Sequence, residues 1–316
     1  METITLGQNG PAVTPLCIGT WAWGDKIFWN YGKNYGADQL KEAFKVALEV
    51  GITFFDTAEI YGFGLSEELL GQFRQQSDTV QIATKYGPAP WRFTAQSVSD
   101  ALTASMKRLR VERATLYQVH WPFSFLMSQE TLMNALADEV QRGRIESVGV
   151  SNYSAEEMRK AHQSLAERGV SLAVNQVRYS LLTRQIESNG ILDTARLLGV
   201  TILAYSPLAQ GLLTGKYTEG RPETPSDARW IDPRFSKDGL NKIQPVISVL
   251  CKLAENHQRT PAQVALNWLI AQGGVIPIAG AKTAEQVRQN AGALGWRLSD
   301  EEVNKLDEVS RPWGRE

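Results

Sequence analysis

The chain has 316 residues, 43% hydrophobic and 21% charged, with a formal net charge of −1. Such a chain can bury a core that needs no staple, and its balanced charge offers no footprint for nucleic acid or an acidic membrane surface. Three His and two Cys (Cys17 and Cys251), scattered along the chain, exclude a zinc site and a disulfide framework. No basic-then-apolar leader opens the sequence, and no run reaches the ~18 apolar residues of a membrane span. A cytoplasmic protein with no metal and no partner protein is expected.

Residues 1–13 read as a short hairpin capping one end of the fold. Short apolar, β-branched runs then follow at 16–19, 53–56, 81–85, 115–120, 147–151, 173–176, 201–206 and 275–278. Amphipathic helical patterns lie between or after them, at 38–50, 66–74, 94–109, 129–142, 155–168, 191–198, 261–271 and 284–291. In the first helix Asp38 reads as the N-cap, and Leu40, Phe44, Ala47 and Leu48 share one face. Residues 216–240, rich in Pro, Gly and charge, read as a long surface loop, either a lid or a solvated connection. Extra helices are expected over 243–256 and 299–310, the latter opened by a Ser299/Glu302 capping box.

This alternation requires parallel strands joined by crossover helices, in either an open doubly wound sheet or a closed barrel. An open sheet that binds a dinucleotide carries a Gly-x-Gly-x-x-Gly turn after its first strand. Here that strand runs into Gly19-Thr20-Trp21-Ala22-Trp23-Gly24, which does not fit. The reading is therefore a single (β/α)8 TIM barrel over residues 1–316, with an N-terminal β-hairpin and additional C-terminal helices. Its chemistry should lie at the carboxyl ends of the strands.

Four polar residues fall there: Asp56 after Phe54-Phe55, Tyr61 in the loop beyond it, Lys85 after Ile82-Ala83-Thr84, and His120 after Gln118-Val119. Each type alone is compatible with a structural role at a strand end. Together they suggest a site that polarises a carbonyl and protonates it. A phenol with a pKa of about 10 donates poorly at neutral pH, and a neighbouring ammonium should lower that value. Asp56 would keep Lys85 charged and positioned, and His120 would orient the carbonyl oxygen. A Schiff-base role for Lys85 is the competing chemistry, but it needs a neutral amine.

These segments resemble the aldo-keto reductase family. Its Asp–Tyr–Lys–His tetrad matches Asp56, Tyr61, Lys85 and His120 without substitution. The similarity continues through Leu116-Tyr117-Gln118-Val119-His120-Trp121-Pro122, Gly149-Val150-Ser151-Asn152-Tyr153 and Ile278-Ala279-Gly280-Ala281-Lys282. The resemblance implies NADPH/NADP+ as cofactor and a small-molecule carbonyl compound as substrate. It implies that Ser151, Asn152 and Gln176 hold the nicotinamide carboxamide, that Tyr205 stacks under the ring, and that Gly19, Thr20, Trp21 and Asp56 border it. Ser206, Pro207, Leu208, Gly211 and Lys216 would take the pyrophosphate. Gly280, Lys282, Gln286, Gln289 and Asn290 would take the adenosine 2′-phosphate end, although relatives commonly have Glu where this chain has Gln289.

The substrate pocket is less legible. Trp21, Trp23, Trp91 and Trp121 lie near strand ends, and with His120 they are the candidate substrate contacts; ordinary packing is the alternative for each tryptophan. Arg221, Arg229, Trp230 and Arg234 of the long loop either close over the cofactor, recognise an acidic substrate, or are simply solvated. The chain also resembles potassium-channel β subunits, which implies cofactor sensing as an alternative to turnover. Gly280-Ala281-Lys282 and Gly292-Ala293-Leu294-Gly295-Trp296 are similar to plant and cyanobacterial reductases, including the pyridoxal reductase type.

Overall fold

A computed structural model describes residues 2–77, 79–122, 127–217 and 232–314. The hairpin pairs β1 (Ile4–Thr5) with β2 (Ala12–Val13). The alternation then runs β3 (Cys17–Gly19), α1 (Ala37–Glu49), β4 (Phe54–Asp56), α2 (Leu65–Phe73), β5 (Gln81–Tyr86), α3 (Ala95–Leu109), β6 (Ala114–Val119), α4 (Gln129–Gln141), β7 (Ile145–Ser151) and α5 (Ala155–Ala166). It continues through β8 (Leu172–Arg178), α6 (Ile191–Leu198), β9 (Thr201–Tyr205), α7 (Lys237–His257), α8 (Pro261–Ala271), β10 (Val275–Gly280), α9 (Ala284–Ala291) and α10 (Asp300–Ser310). Strands β3 to β10 close into a parallel barrel in sequence order, β10 returning to β3.

Side chains alternate across each strand. The inward set of Cys17, Phe54, Ala83, Leu116, Val174, Leu203 and Ile276 fills the barrel together with Leu6 and Val13 of the hairpin. The outward set, such as Phe55, Ile82, Tyr117 and Val150, packs on the helices. The hairpin plugs the amino-terminal end, where Gly7 N–H donates to Thr201 Oγ1 at 2.9 Å. The opposite end is left for chemistry.

Several boundaries differ from the sequence expectation. Helix α1 is capped at Gly36, whose N–H donates to Gln39 Oε1 at 3.0 Å, so Asp38 sits inside the first turn. Helix α7 begins at Lys237 rather than at 243, because Ser236 caps it and Leu240 extends its apolar face; Pro245 lies within it. The expected loop 216–240 is thereby shortened, and Arg221, Arg229 and Trp230 lie outside the described residues. The Ser299/Glu302 capping box forms as expected at α10.

One buried ion pair fixes α2 and α3 behind β5. Glu67 is wholly buried and accepts from Thr84 Oγ1 and from Arg108 Nε at 2.7 Å. Arg108→Ala should cost roughly 2–3 kcal/mol, somewhat less than a fully buried pair, because the Arg108 side chain is a quarter exposed. Urea denaturation midpoints measure this; an unchanged midpoint would contradict it.

Candidate active site

The inward period carries on above the apolar layer. Two residues past Phe54, Ala83, Leu116, Val174 and Leu203 stand Asp56, Lys85, Gln118, Gln176 and Tyr205, so these five side chains face one another at the barrel mouth. His120 follows Gln118 by the same step. Gly149, in register with Gln118, has no side chain to obstruct it: a Cβ there would lie 2.9 Å from Gln118 Cγ.

Asp56 and Lys85 form the centre. Lys85 is fully buried, and its ammonium donates to Asp56 Oδ2 at 2.6 Å, to the Thr57 carbonyl at 2.8 Å and to Tyr61 OH at 3.4 Å. An ammonium has three hydrogens, and these three acceptors account for them. The other carboxylate oxygen, Asp56 Oδ1, accepts from Gln176 Nε2 at 2.8 Å and Gln118 Nε2 at 3.2 Å. A knot of hydroxyls sets the Thr57 carbonyl. Ser66 Oγ lies 2.8 Å from Thr20 Oγ1 and 2.9 Å from Thr57 Oγ1, which ties both loops to α2.

Burial pulls the Lys85 ammonium toward neutrality, but Asp56 and Tyr61 beside it raise its pKa above the ordinary lysine value, so it stays charged. That is the opposite of what a Schiff-base nucleophile needs. For Tyr61 the ammonium acts in the expected direction, but burial outweighs it. Burial raises its pKa, the nearby Lys85 lowers it, and the net remains above 10. The phenol therefore stays protonated, poised by its contact with Lys85 rather than ionised by it. Burial, aided by Lys85, drives His120 down to about 3, so its imidazole is neutral. The ring meets Tyr61 edge-on with centroids 5.7 Å apart, and its Nδ1 is buried with no hydrogen-bond partner among the described residues.

Beside this cluster, Asn152 adopts a left-handed backbone (φ 61°) and its amide donates to the His120 carbonyl at 3.1 Å. Its Oδ1 accepts from Tyr205 OH at 3.0 Å. Ser151 Oγ donates to the Gln176 carbonyl at 2.9 Å. Gln176 spends its amide hydrogens on Asp56 and on Gln118 Oε1, leaving Oε1 as its acceptor. After β9 the chain bends sharply: Ser206 (φ 53°), Ala209 (φ 47°), Gln210 (φ 57°) and Gly211 (φ 102°) are all left-handed. Such strain in non-glycine residues concentrates at ligand-binding turns. Pro207 and Leu208 lie within this bend, and Lys216 beyond it is exposed, its ammonium 5.0 Å from the Tyr217 ring. Gly19 ends β3 where a Cβ would meet Ile278 Cγ2 at 2.9 Å.

At the end of β10, Gly280 is exposed with open space where a side chain would be. The Lys282 ammonium lies 5.1 Å from the ring centres of both Trp29 and Tyr35. Gln286 Oε1 accepts from Lys282 N–H at 2.7 Å, Gln289 bonds Glu285, and the buried Asn290 donates to the Gly280 carbonyl at 3.3 Å. These amides shape the strand-to-helix turn.

Two expected contacts are corrected. Thr20 is wholly buried with its hydroxyl committed to the Asp56 carbonyl and Ser66, so it cannot face a cofactor. Trp23 is wholly buried too, packed on Phe55 and Phe73 with its indole N–H given to the Ala281 carbonyl, so it cannot touch substrate. Trp21 and Trp121 do reach the cluster, with ring centres 6.4 Å from Tyr61 and 4.8 Å from His120. Trp91 is exposed on the loop after β5. Gln118 was missed by sequence reasoning; the available signal was an amide one inward step past Leu116, near the carboxyl end of a mostly apolar strand. Phe28 and Trp29, which stack around Trp21, were also missed, because the segment after β3 has no periodicity.

Residues 15–311 match the family model described as Aldo/keto reductase family. The chain is 38% identical to a chloroplastic pyridoxal reductase of Arabidopsis thaliana, across 96% of this chain and 85% of that protein. It is 34% identical to an aldo-keto reductase of Schizosaccharomyces pombe with NADP(+) in its name, across 83% and 80%. The solved structure of a glycerol dehydrogenase from Gluconobacter oxydans matches with a TM-score of 0.83 and 32% identity, across 97% of this chain and 94% of that one.

The neutral state of His120 has a consequence for acid stability. A pKa depressed in the fold contributes stability that is complete above the unfolded value of about 6.5 and is lost as pH falls toward about 3. Within that window the fold should lose up to about 1.4 kcal/mol per pH unit from this group, and His120→Gln should abolish that share. Denaturation midpoints of both proteins at pH 7 and 5 test this; parallel losses would contradict it.

Proposed function

The chain belongs to the aldo/keto reductase family, and we propose that it reduces an aldehyde or ketone to the alcohol with NADPH as hydride donor. The observation that carries this reading is the Tyr61 phenol, kept protonated and in contact with a buried ammonium at the barrel mouth. The reduced nicotinamide supplies the hydride when bound, and the chain's own groups do the rest. Tyr61 donates its proton to the carbonyl oxygen as negative charge develops there. Lys85 stabilises the phenolate left behind, at a separation where a buried charge pair is much stronger than in water. Asp56 keeps Lys85 charged, and the neutral His120 ring orients the carbonyl by a hydrogen bond. Trp21 and Trp121 form an apolar wall that excludes water.

Several features fit the dinucleotide. The Gln176 Oε1 acceptor, with Ser151 and Asn152, suits a carboxamide, and the half-buried Tyr205 ring offers a flat face for a nicotinamide. The left-handed Ser206, Ala209, Gln210 and Gly211 fold this bend into a tight turn whose backbone a pyrophosphate could approach, with Lys216 beyond. The Lys282 cation beside the Thr283-capped start of α9 suits a 2′-phosphate. The NADP(+) in the name of the yeast relative supports the same choice.

Tyr61→Phe should lower kcat/KM for NADPH-dependent aldehyde reduction by about 10²–10⁴-fold while still quenching NADPH fluorescence on binding. An aldehyde panel that includes pyridoxal measures this, and a variant with the parent's rate would refute the proton-donor role. Lys282→Ala should weaken NADP+ binding roughly tenfold, the loss of a charge-assisted contact, and weaken NAD+ binding much less. Equal effects on both dinucleotides would overturn the phosphate assignment.

A further inference from the structure

Strand β8 has one more inward position beyond the reacting cluster. The step that carries Val174 and Gln176 into the barrel brings Arg178 to its mouth, in register with Tyr205 of β9. There it lines a cleft of about 410 Å³ with Thr183, Asp232, Arg234 and Trp313. The two cations in this cleft differ. The Arg234 guanidinium is neutralised by Asp232, with Nε 3.0 Å from Oδ1 and a second nitrogen 2.5 Å from Oδ2. Arg178 is half-buried, yet no hydrogen bond or ion pair engages its side chain among the described residues.

Among the described residues the carboxylate nearest in effect, Asp232, is committed to Arg234, and a partly desolvated guanidinium left with so little compensation is costly. Burial, and repulsion from Arg234, hold Arg178 below the ordinary arginine value, while Tyr205 and Asp232 pull the other way. A planar fork of donors on a strand end, opening onto a cleft, matches the oxygens of a carboxylate or phosphate. Tyr205 links this position to the reacting cluster, since its hydroxyl bonds Asn152, which in turn bonds the His120 carbonyl.

We propose that Arg178 is the anion subsite of the substrate pocket, and that the preferred substrate is a carbonyl compound bearing a carboxylate or phosphate group. This rests on the reductase reading of Tyr61. The anion seats on Arg178 between Arg234 and the Trp313 ring, while the carbonyl reaches toward Tyr61 and His120.

Two matched pairs test it with NADPH: 3-carboxybenzaldehyde against its methyl ester, and glyceraldehyde 3-phosphate against glyceraldehyde. The protein should favour the charged member of at least one pair, and which pair identifies the anion. Arg178→Met should cut that preference in kcat/KM by roughly tenfold to a hundredfold, mainly through KM. Arg178→Lys should restore part of it, since it keeps the charge and loses the fork. A protein that reduces all four without charge preference keeps the reductase reading and overturns the subsite. One that reduces none overturns both. If Arg178→Met instead weakens NADP+ in a fluorescence titration and slows charged and neutral substrates alike, the guanidinium serves the dinucleotide and the proposal fails.

Discussion

The buried contact between the Asp56 carboxylate and the Lys85 ammonium is the constraint on which the rest of the site depends. Taking two charges out of water costs several kcal/mol per ion, and attraction between them offsets this only when the remaining hydrogen-bonding capacity is also filled. Here it is filled. Lys85 has an acceptor for each hydrogen, and the second Asp56 oxygen receives two amides. A pair so completely satisfied holds Lys85 in one place and one charge state. Tyr61 thereby meets a fixed cation rather than a mobile one.

The barrel supplies this arrangement through register. Asp56, Lys85, Gln118 and Gln176 come from β4, β5, β6 and β8, each one inward step above the apolar layer. A slip of one residue in any strand would turn its member outward into the helices. The hairpin and the apolar layer below prevent such slips by occupying the space into which the strands would move. The Thr20–Thr57–Ser66 hydroxyl knot does the same for the loops above, and so places the Thr57 carbonyl against the ammonium. Electrostatics then follow from depth. The same burial that raises the Tyr61 pKa pushes His120 down, so one group keeps its proton and the other stays neutral without any metal ligand being needed for either effect.

Much of this was legible in the sequence because period-2 strands and period-3.6 helices leave strong traces. All eight barrel strands were expected within a few residues of where they lie, and Asp56, Tyr61, Lys85 and His120 stood out as polar residues at strand ends. What escaped were properties of the closed barrel. Whether Trp23 faces inward or packs behind β4 depends on the path of an aperiodic loop, and Thr20 could not be assigned to Ser66 across 46 residues of chain. The net direction of the Tyr61 shift was misjudged because the cation is visible in sequence whereas the depth of burial is not. Arg178 lies two residues past the strand expected over 173–176, and only the barrel turns that position into the rim of a cleft.

The central claim is that Lys85 remains a cation and acts on a Tyr61 phenol that keeps its proton. Carbon-13 NMR of labelled tyrosine, followed through alkaline pH in the parent protein and in Lys85→Met, measures it directly. The Tyr61 resonance should titrate above the ordinary phenol value of about 10 and move higher still when the ammonium is removed. A Tyr61 that ionises near neutrality, or whose titration is the same in both proteins, would contradict it.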